Sequence, residues 1–530
     1  MRSFNTTGVC IPEKHYMVDI SDRIQEIAGL VDEGKYFSIN RARQYGKSTT
    51  IAALAKFLSL KYTVISLDFQ SISAAGYKTE QGFVQEFARL LINKARENVA
   101  IPKSILAMLE DYVARNDNKA KLGELFDVIK QWCVVSEKEL VLIIDEVDSV
   151  SNNQVFVDFL AQLREGYIQR DAANIPAFKS VIMAGVTDVK HLRSKIRDDE
   201  QHKVNSPWNI ASDFSINMSL TKDGIKRMLD EYAHDHGFSM DTDEISQELV
   251  DYTNGYPFLV SRLCQIIDER LLKNTFDSYE EAWTRNGMDE AAKCILIEKN
   301  TLFESLVGKL INYQNIKTLV RSILMEGLSI PYNGYQEEIS QMQMYGFVRN
   351  NNGYVAISNR IYETFLYNYY LSEEIINSNE FYKKSALGKN IFITDGKLNL
   401  RLILESFIRD YTEICGPLDE PFKEKDGREQ FLLYLKPIIN GTGNYYIEAQ
   451  TRDQRRTDVI IDYLGQRYII EMKIWHGDRY NSDGEKQICD YLDYFNLQTG
   501  YMLSFNFNQK KKVGVDRVAI NGKVVYEAML

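Results

Sequence analysis

Two groups of residues in this chain have the types and spacing for phosphate chemistry. The first is Arg43-Gln44-Tyr45-Gly46-Lys47-Ser48, followed by Thr49. A glycine at this point lets the backbone approach a phosphate closely. The lysine ammonium reaches the outer phosphates of a nucleoside triphosphate such as ATP, and the serine hydroxyl is a hard oxygen ligand for Mg²⁺. A complement lies downstream, where the apolar run Leu140 to Ile144 ends in Asp145-Glu146. A carboxylate at a strand end orients Mg²⁺, and its neighbour polarises the attacking water. One departure stands out: the pattern GxxxxGK[ST] has Arg41 in place of its first glycine.

The second group is Asp458, Glu471 and Lys473. Residues two apart in a strand point to the same face, so Glu471 and Lys473 project together. The short turn YLGQR would bring Asp458 beside them. Converging carboxylates repel unless a cation lies between them, and hard oxygen ligands suit Mg²⁺ or Mn²⁺. The lysine then sits where it holds a water or offsets charge on a phosphodiester under attack. A solvent-facing charged hairpin is the plainer alternative.

These residues need rigid supports. Residues 35–70 read strand, loop, helix, strand, through KYFSIN, TTIAALAKFLSL and YTVISLDF. Alternation continues to residue 218 with the apolar strands ELVLIID and FKSVIMAGV. Near-continuous apolar strands of this kind predict a parallel sheet covered by helices on both faces. From Thr221, a plausible N-cap, the pattern turns helical, and Gly237 is a helix stop. YGFVRNNNGYVAISN reads as a hairpin with its turn at Asn352-Gly353. The C-terminal region reads as helix REQFLLYLKPIING, strands YYIEAQ, RTDVIIDYL and QRYIIEMKIW, helix GEKQICDYLDYF and strand GYMLSF.

NRARQYGKST with LIIDEVD resembles the AAA-like ATPases of the RPRRFGKS type, in which Arg commonly replaces the first P-loop Gly. The opening FNTTGVCIPEKHYMVDIS is similar to that family's N-terminal segment. SPWNI and NGYPFLVSRLC are similar to motifs of the same group and of STAND-type ATPases. The resemblance covers residues 1 to 295 and implies that Arg43, Gln44, Tyr45, Gly46, Lys47, Ser48 and Thr49 surround the phosphates of ATP. It implies Ser48 and Asp145 as Mg²⁺ ligands and Glu146 as the catalytic carboxylate. It further implies Thr187 as a sensor of the γ-phosphate or the water, and Pro257 near the nucleotide in a helical lid. A helix N-cap for Thr187 and a helix-initiating place for Pro257 stay open beside these roles. Neither Arg193 nor Arg197 is singled out as an arginine finger.

RTD, EMK and QICDY, in that order, look like the PD-(D/E)XK nuclease superfamily over residues 425 to 525, with Thr457 where the family has proline. The resemblance implies Asp458 and Glu471 on a metal, Lys473 at the attacked phosphate, and Gln487 with Tyr491 as the QxxxY element of RecB-like nucleases. Gln487 and Tyr491 share a helix face. Glu429 on the preceding helix is the further acidic candidate, and Glu448 is its rival. The middle segment resembles a winged helix with helix 335–345 in the recognition position. That helix has Glu337 and Glu338 and no Lys or Arg, which favours packing or protein contact over DNA reading. The tyrosines of YETFLYNYY suit such packing.

The expected fold class is therefore α/β: a P-loop NTPase parallel sheet with a helical lid, a winged-helix-like middle domain and a C-terminal restriction-endonuclease-like α/β domain. The expected segments are 1–220 for the ATPase core, 221–298 for the lid, 299–415 for the middle domain and connector, and 416–530 for the nuclease-like domain.

Composition limits the partners. A formal charge of -11 argues against bulk electrostatic binding of nucleic acid, leaving a local basic cleft. Arg452, Arg455, Arg456 and Lys510, Lys511, Lys512 are its candidates, or are solvated turns. The 6 cysteines form no CxxC pair, which favours reduced thiols over a zinc site. No apolar run reaches the ~20 residues of a membrane span, and the opening lacks a secretory h-region, so a cytoplasmic protein is expected. Two readings follow. In the preferred one, ATP controls metal-dependent cleavage of nucleic acid, DNA favoured over RNA, and homo-oligomer formation is compatible with it. In the other, the chain is a nucleotide-dependent signalling switch or scaffold whose nuclease fold only binds.

Overall fold

Four strands of nearly unbroken apolar sequence build the N-terminal sheet: Phe37–Asn40, Thr63–Asp68, Leu140–Asp145 and Ser180–Gly185. All pair in parallel, and Phe37–Asn40 lies next to Ser180–Gly185, then Leu140–Asp145, then Thr63–Asp68. Parallel strands need crossover connections, and the helix Lys47–Leu58 lies in the first, which runs from one edge strand, Phe37–Asn40, to the other, Thr63–Asp68. Alternate residues feed opposite cores, as the strand period of two requires. Ile65, Leu67, Leu142, Ile144, Val181 and Met183 enter one cluster, and Phe37, Ile39, Val141, Ile143, Ile182 and Ala184 enter the other. The sheet is therefore buried on both faces, as its composition predicts.

The computed structural model describes residues 2–96, 99–114, 120–149, 153–186, 207–325, 328–376, 380–394, 396–415, 424–439, 443–447, 458–474, 486–493, 495–506 and 513–530. Thr187, Arg193, Arg197, Glu448, Thr457 and the two basic clusters at Arg452, Arg455, Arg456 and Lys510, Lys511, Lys512 lie outside the described residues. By internal contact the chain forms two units, residues 1–220 with 344–346, and residues 221–343 with 347–530.

The second unit opens with helices Lys222–His236, Thr242–Thr253, Pro257–Ile266 and Arg285–Ile297. Thr221 caps the first, its Oγ1 accepting from Gly224 N at 3.2 Å, and Gly237 ends it at φ 69°. Helices Thr301–Asn312, Gln314–Met325 and Glu337–Met344 follow, then the antiparallel hairpin Val348–Asn351 with Tyr354–Ile357. Asn352 and Gly353 turn it at φ 50° and 86°, the left-handed pair that a two-residue hairpin favours. On the helix Arg360–Ile376 the tyrosines serve packing: Tyr362, Tyr367 and Tyr370 are buried, and Tyr370 donates to Lys317 O at 2.8 Å.

The C-terminal sheet has six strands in the order Gly443–Ile447, Asp458–Tyr463, Gln466–Ile474, Thr499–Phe505, Lys523–Met529, Gly514–Ile520. The first two junctions are antiparallel, the next two parallel and the last antiparallel. The helix Glu424–Ile439 precedes this sheet, and a helix over 486–493 connects its two central strands. That helix lies close: a Cβ on Gly500 would meet Ile488 Cδ1 at 2.8 Å. Sequence reading found the first four strands and missed the final hairpin. No described helix is long and apolar enough to cross a membrane.

Candidate functional site

The phosphate-binding loop takes its shape from two left-handed residues, Gln44 at φ 57° and Gly46 at φ 78°. Gly46 is the N-cap of Lys47–Leu58, so the unpaired N–H groups of the first helical turn follow it directly. Lys47 is buried, and its Nζ donates to Arg41 O at 2.9 Å and Ala42 O at 3.0 Å. Burial pushes the ammonium pKa down, while Asp148, Glu146 and Asp145 oppose that shift. The lysine is thus held against the loop backbone, with acids nearby that offset part of the effect of burial.

Those acids lie at the end of Leu140–Asp145. Ser48 Oγ donates to Asp145 Oδ2 at 3.0 Å, and Glu146 N donates to Asp145 Oδ1 at 2.9 Å. Burial raises the pKa of both carboxyls, and for Glu146 the neighbouring Asp145 adds to the rise. Glu146 itself sits at φ 57°, a conformation a non-glycine residue rarely takes. Asp148, which sequence reading did not select, accepts from Val186 N at 2.6 Å. It ties the acidic loop to the end of Ser180–Gly185, where a Cβ on Gly185 would meet Val147 Cγ2 at 2.9 Å. The detectable signal was the second aspartate of DEVD.

Arg41 explains its departure from glycine. Its backbone does not take a positive φ, so no glycine is required there. Its side chain donates to Asn40 O at 2.8 Å and Ile216 O at 2.9 Å, and stacks over Phe214 at 5.4 Å. Tyr45 Oη and Ser219 Oγ are 2.8 Å apart, and Arg23 donates to Ser219 O at 3.1 Å. The loop is laced to residues 214–219, the end of the first unit. Thr49 Oγ1 accepts from Cys10 N at 3.1 Å, and Arg43 is exposed. Pro257 opens its helix in the N1 region and belongs to the other unit.

In the C-terminal sheet, Asp458 lies directly across from Glu471. Glu471 and Lys473 are 3% and 6% exposed, so this face of the hairpin is a charged interior and not a solvated surface. Lys473 is opposite Ser504 of the next strand, itself buried. On the connecting helix, Tyr491 is buried, and the buried Gln487 Nε2 has no hydrogen-bond partner among the described residues. Glu429 is ion-paired with Arg321 at 2.8 Å, so a positive charge already neutralises it. Among the described residues no three His, Cys, Asp or Glu side chains gather as a metal site.

Solved structures of similar shape are distant. The Walker-type ATPase PABY2304 of Pyrococcus abyssi is 14% identical, with 68% of this chain and 99% of that one covered at a TM-score of 0.45. The Aeropyrum pernix ORC1 protein in complex with DNA is 11% identical, covering 66% and 93% at 0.30. The Thermotoga maritima RuvB Holliday junction branch migration motor is 14% identical, covering 64% and 92% at 0.32. No curated protein matches the sequence. A family model described as an AAA-like domain matches residues 16–368 of the 530. That span takes in the loop at Gly46, the acids at Asp145 and Glu146, and the helices after Thr221, and the chain therefore belongs to the AAA-like domain family.

Proposed function

We propose that this AAA-like ATPase uses ATP to control a metal-dependent phosphodiester-cleaving domain in residues 416–530. For the ATP half, the Ser48–Asp145 hydrogen bond carries the reading, because it holds a hydroxyl and a carboxylate together beside the helix N-terminus. Lys47 and the first-turn N–H groups bind the phosphates. Glu146, with its raised pKa, accepts a hydrogen bond from the attacking water. Ser48 and Asp145 suit Mg²⁺, which supplies positive charge at the β- and γ-phosphates. Thr187 and Pro257 remain proposed nucleotide contacts.

For the nuclease half, the carrying observation is the register of Asp458 on Glu471, with Lys473 on the same buried face. A helix, three antiparallel-linked strands, a helix and a parallel strand support a restriction-endonuclease-like reading. Asp458 and Glu471 would hold Mg²⁺ or Mn²⁺, which supplies positive charge at the attacked phosphate. Lys473 holds the water or offsets that charge, and Gln487 with Tyr491 lines the approach. Nucleic acid, DNA before RNA, is the proposed partner. The winged-helix-like segment 299–415 is assigned to packing between domains.

A second reading is a nucleotide switch whose nuclease fold only binds. The ion pair of Glu429 with Arg321 favours it, since it removes one acid from the metal set. Purified protein with Mn²⁺, with and without ATP, assayed on single- and double-stranded DNA and RNA separates the two. Cleavage lost in Glu471→Ala and Lys473→Ala, and altered by Lys47→Ala, supports the first. No cleavage of any substrate leaves the switch.

A further inference from the structure

The face of the hairpin that carries Asp458, Glu471 and Lys473 at one end carries a second charge cluster at the other. Asp462 and Arg467 face each other in register, and Arg467 Nε donates to Asp462 Oδ1 at 2.8 Å. Side chains at 467, 469, 471 and 473 share one face of their strand. Glu471 is four residues on from Arg467, about 13 Å along the strand.

This second cluster is not closed within the sheet. Its remaining acidic members come from the helices Thr242–Thr253 and Arg285–Ile297. Arg467 Nη1 lies 3.9 Å from Glu248 Oε1, and Nη2 lies 3.9 Å from Asp289 Oδ1. Tyr252 Oη donates to Asp289 Oδ1 at 2.6 Å and reaches Asp462 Oδ2 at 3.3 Å. Arg285 donates to Glu248 Oε1 at 2.7 Å, and Arg360 stacks over the Tyr252 ring at 5.0 Å. The guanidinium of Arg467 stacks on Phe495 at 4.9 Å. At the turn, a Cβ on Gly465 would lie 3.2 Å from Asn286 Oδ1, so the hairpin tip abuts the start of the second helix.

We infer that Arg467 is a positioning residue: with Asp462 it latches the hairpin into an acidic cage on two helices of segment 221–298, and those helices thereby fix where Glu471 and Lys473 lie. The side chains of Arg467, Asp462, Asp289 and Glu248 are 5%, 2%, 4% and 6% exposed. Removing one partner from such a group strands the others without water or counter-charge, which is why buried pairs fail sharply rather than by degrees. Loose helix packing would allow the sheet to slide; a planar guanidinium hydrogen-bonded to Asp462 and flanked at 3.9 Å by the carboxyl groups of Glu248 and Asp289 does not. The segment that follows the ATPase core in the chain is thus the one that grips the acidic hairpin. Its consequence for cleavage rests on the nuclease reading; the latch itself does not.

Hydrogen exchange on the full chain tests this with Arg467→Lys, which keeps the charge and loses the fork. The expected result is exchange about tenfold or more faster at Ile469–Lys473 and in Thr242–Thr253, with ATP hydrolysis within about twofold of the parent. Where the parent cleaves, kcat falls about tenfold and KM stays within about twofold, because strand position and not substrate affinity is lost. Unchanged exchange at Ile469–Lys473 overturns the latch. Faster exchange in a protein whose parent cleaves nothing leaves the latch standing and removes the nuclease reading. Should Arg467→Lys fail to fold, Tyr252→Phe removes a single hydroxyl; about threefold faster exchange in the hairpin is expected, and no change overturns the proposal.

Discussion

Ser48 Oγ donates to Asp145 Oδ2 at 3.0 Å, joining two segments 97 residues apart in sequence. This bond holds a neutral hydroxyl against a carboxylate whose pKa is raised by burial, a pairing that a divalent cation would strengthen. Ser48→Ala should therefore weaken binding of ATP in Mg²⁺ by about tenfold or more, while changing binding in EDTA by less than about twofold. Titration of a fluorescent ATP analogue under the two conditions measures the difference. Equal losses would mean that the hydroxyl acts on the phosphates alone.

Glu146 combines a catalytic assignment with a strained backbone at φ 57°. Asparagine tolerates the left-handed region better than most residues, so Glu146→Asn should keep the fold as stable as the parent or more so. Loss of the carboxylate should slow ATP hydrolysis about a hundredfold or more. Single-turnover hydrolysis and a thermal melt report the two effects. A variant that hydrolyses normally assigns the water to another group.

Restoring the glycine of the general loop pattern should harm this protein. Arg41→Gly deletes hydrogen bonds to Asn40 O and Ile216 O and the stacking on Phe214. A loss of about 1–3 kcal/mol is expected for charged hydrogen bonds of this kind, read from the urea midpoint. No shift in the midpoint would show that the arginine is not a tether.

Asp289 should make the stability of the second unit depend on pH. Burial, and then the charge of Asp462, push its carboxyl from the ordinary 3.8 to about 7. A raised carboxyl pKa means the folded state binds the proton more tightly. Its contribution is full below the unfolded value of 3.8, declines as pH rises, and is gone above about 7. Asp289→Asn should flatten the fall in stability between these values, measured by denaturant melts of the full chain. A slope equal to the parent's would place the proton elsewhere.

The supports of the ATP site were legible because each obeys a short-range rule. Strands such as Leu140–Asp145 are apolar throughout, and the loop at Gly46 comes between a strand and a helix. The register of Asp458 on Glu471 followed from a two-residue turn, now seen with Leu464 and Gly465 at φ 49° and 73°. Burial of Glu471 and Lys473 was not legible, since alternating charge looks the same on a solvated face. The cage around Arg467 was hidden for a related reason. Glu248 and Asp289 are far from Asp462 in sequence, and only the packed helices bring them together. The one available hint was a charged pair flanking a tight turn in otherwise apolar strands. Arg41 was noticed only as a missing glycine, because its partner Ile216 contributes a carbonyl, which side-chain patterns do not reveal.

The outermost strand of the C-terminal sheet, Gly514–Ile520, carries Asp516 and Arg517 exposed at its middle. Ionic side chains on a border strand repel the flat approach that lets a foreign strand zip onto free amides and carbonyls. At high concentration, then, this border is a poor template for molecules to fuse through into ribbons.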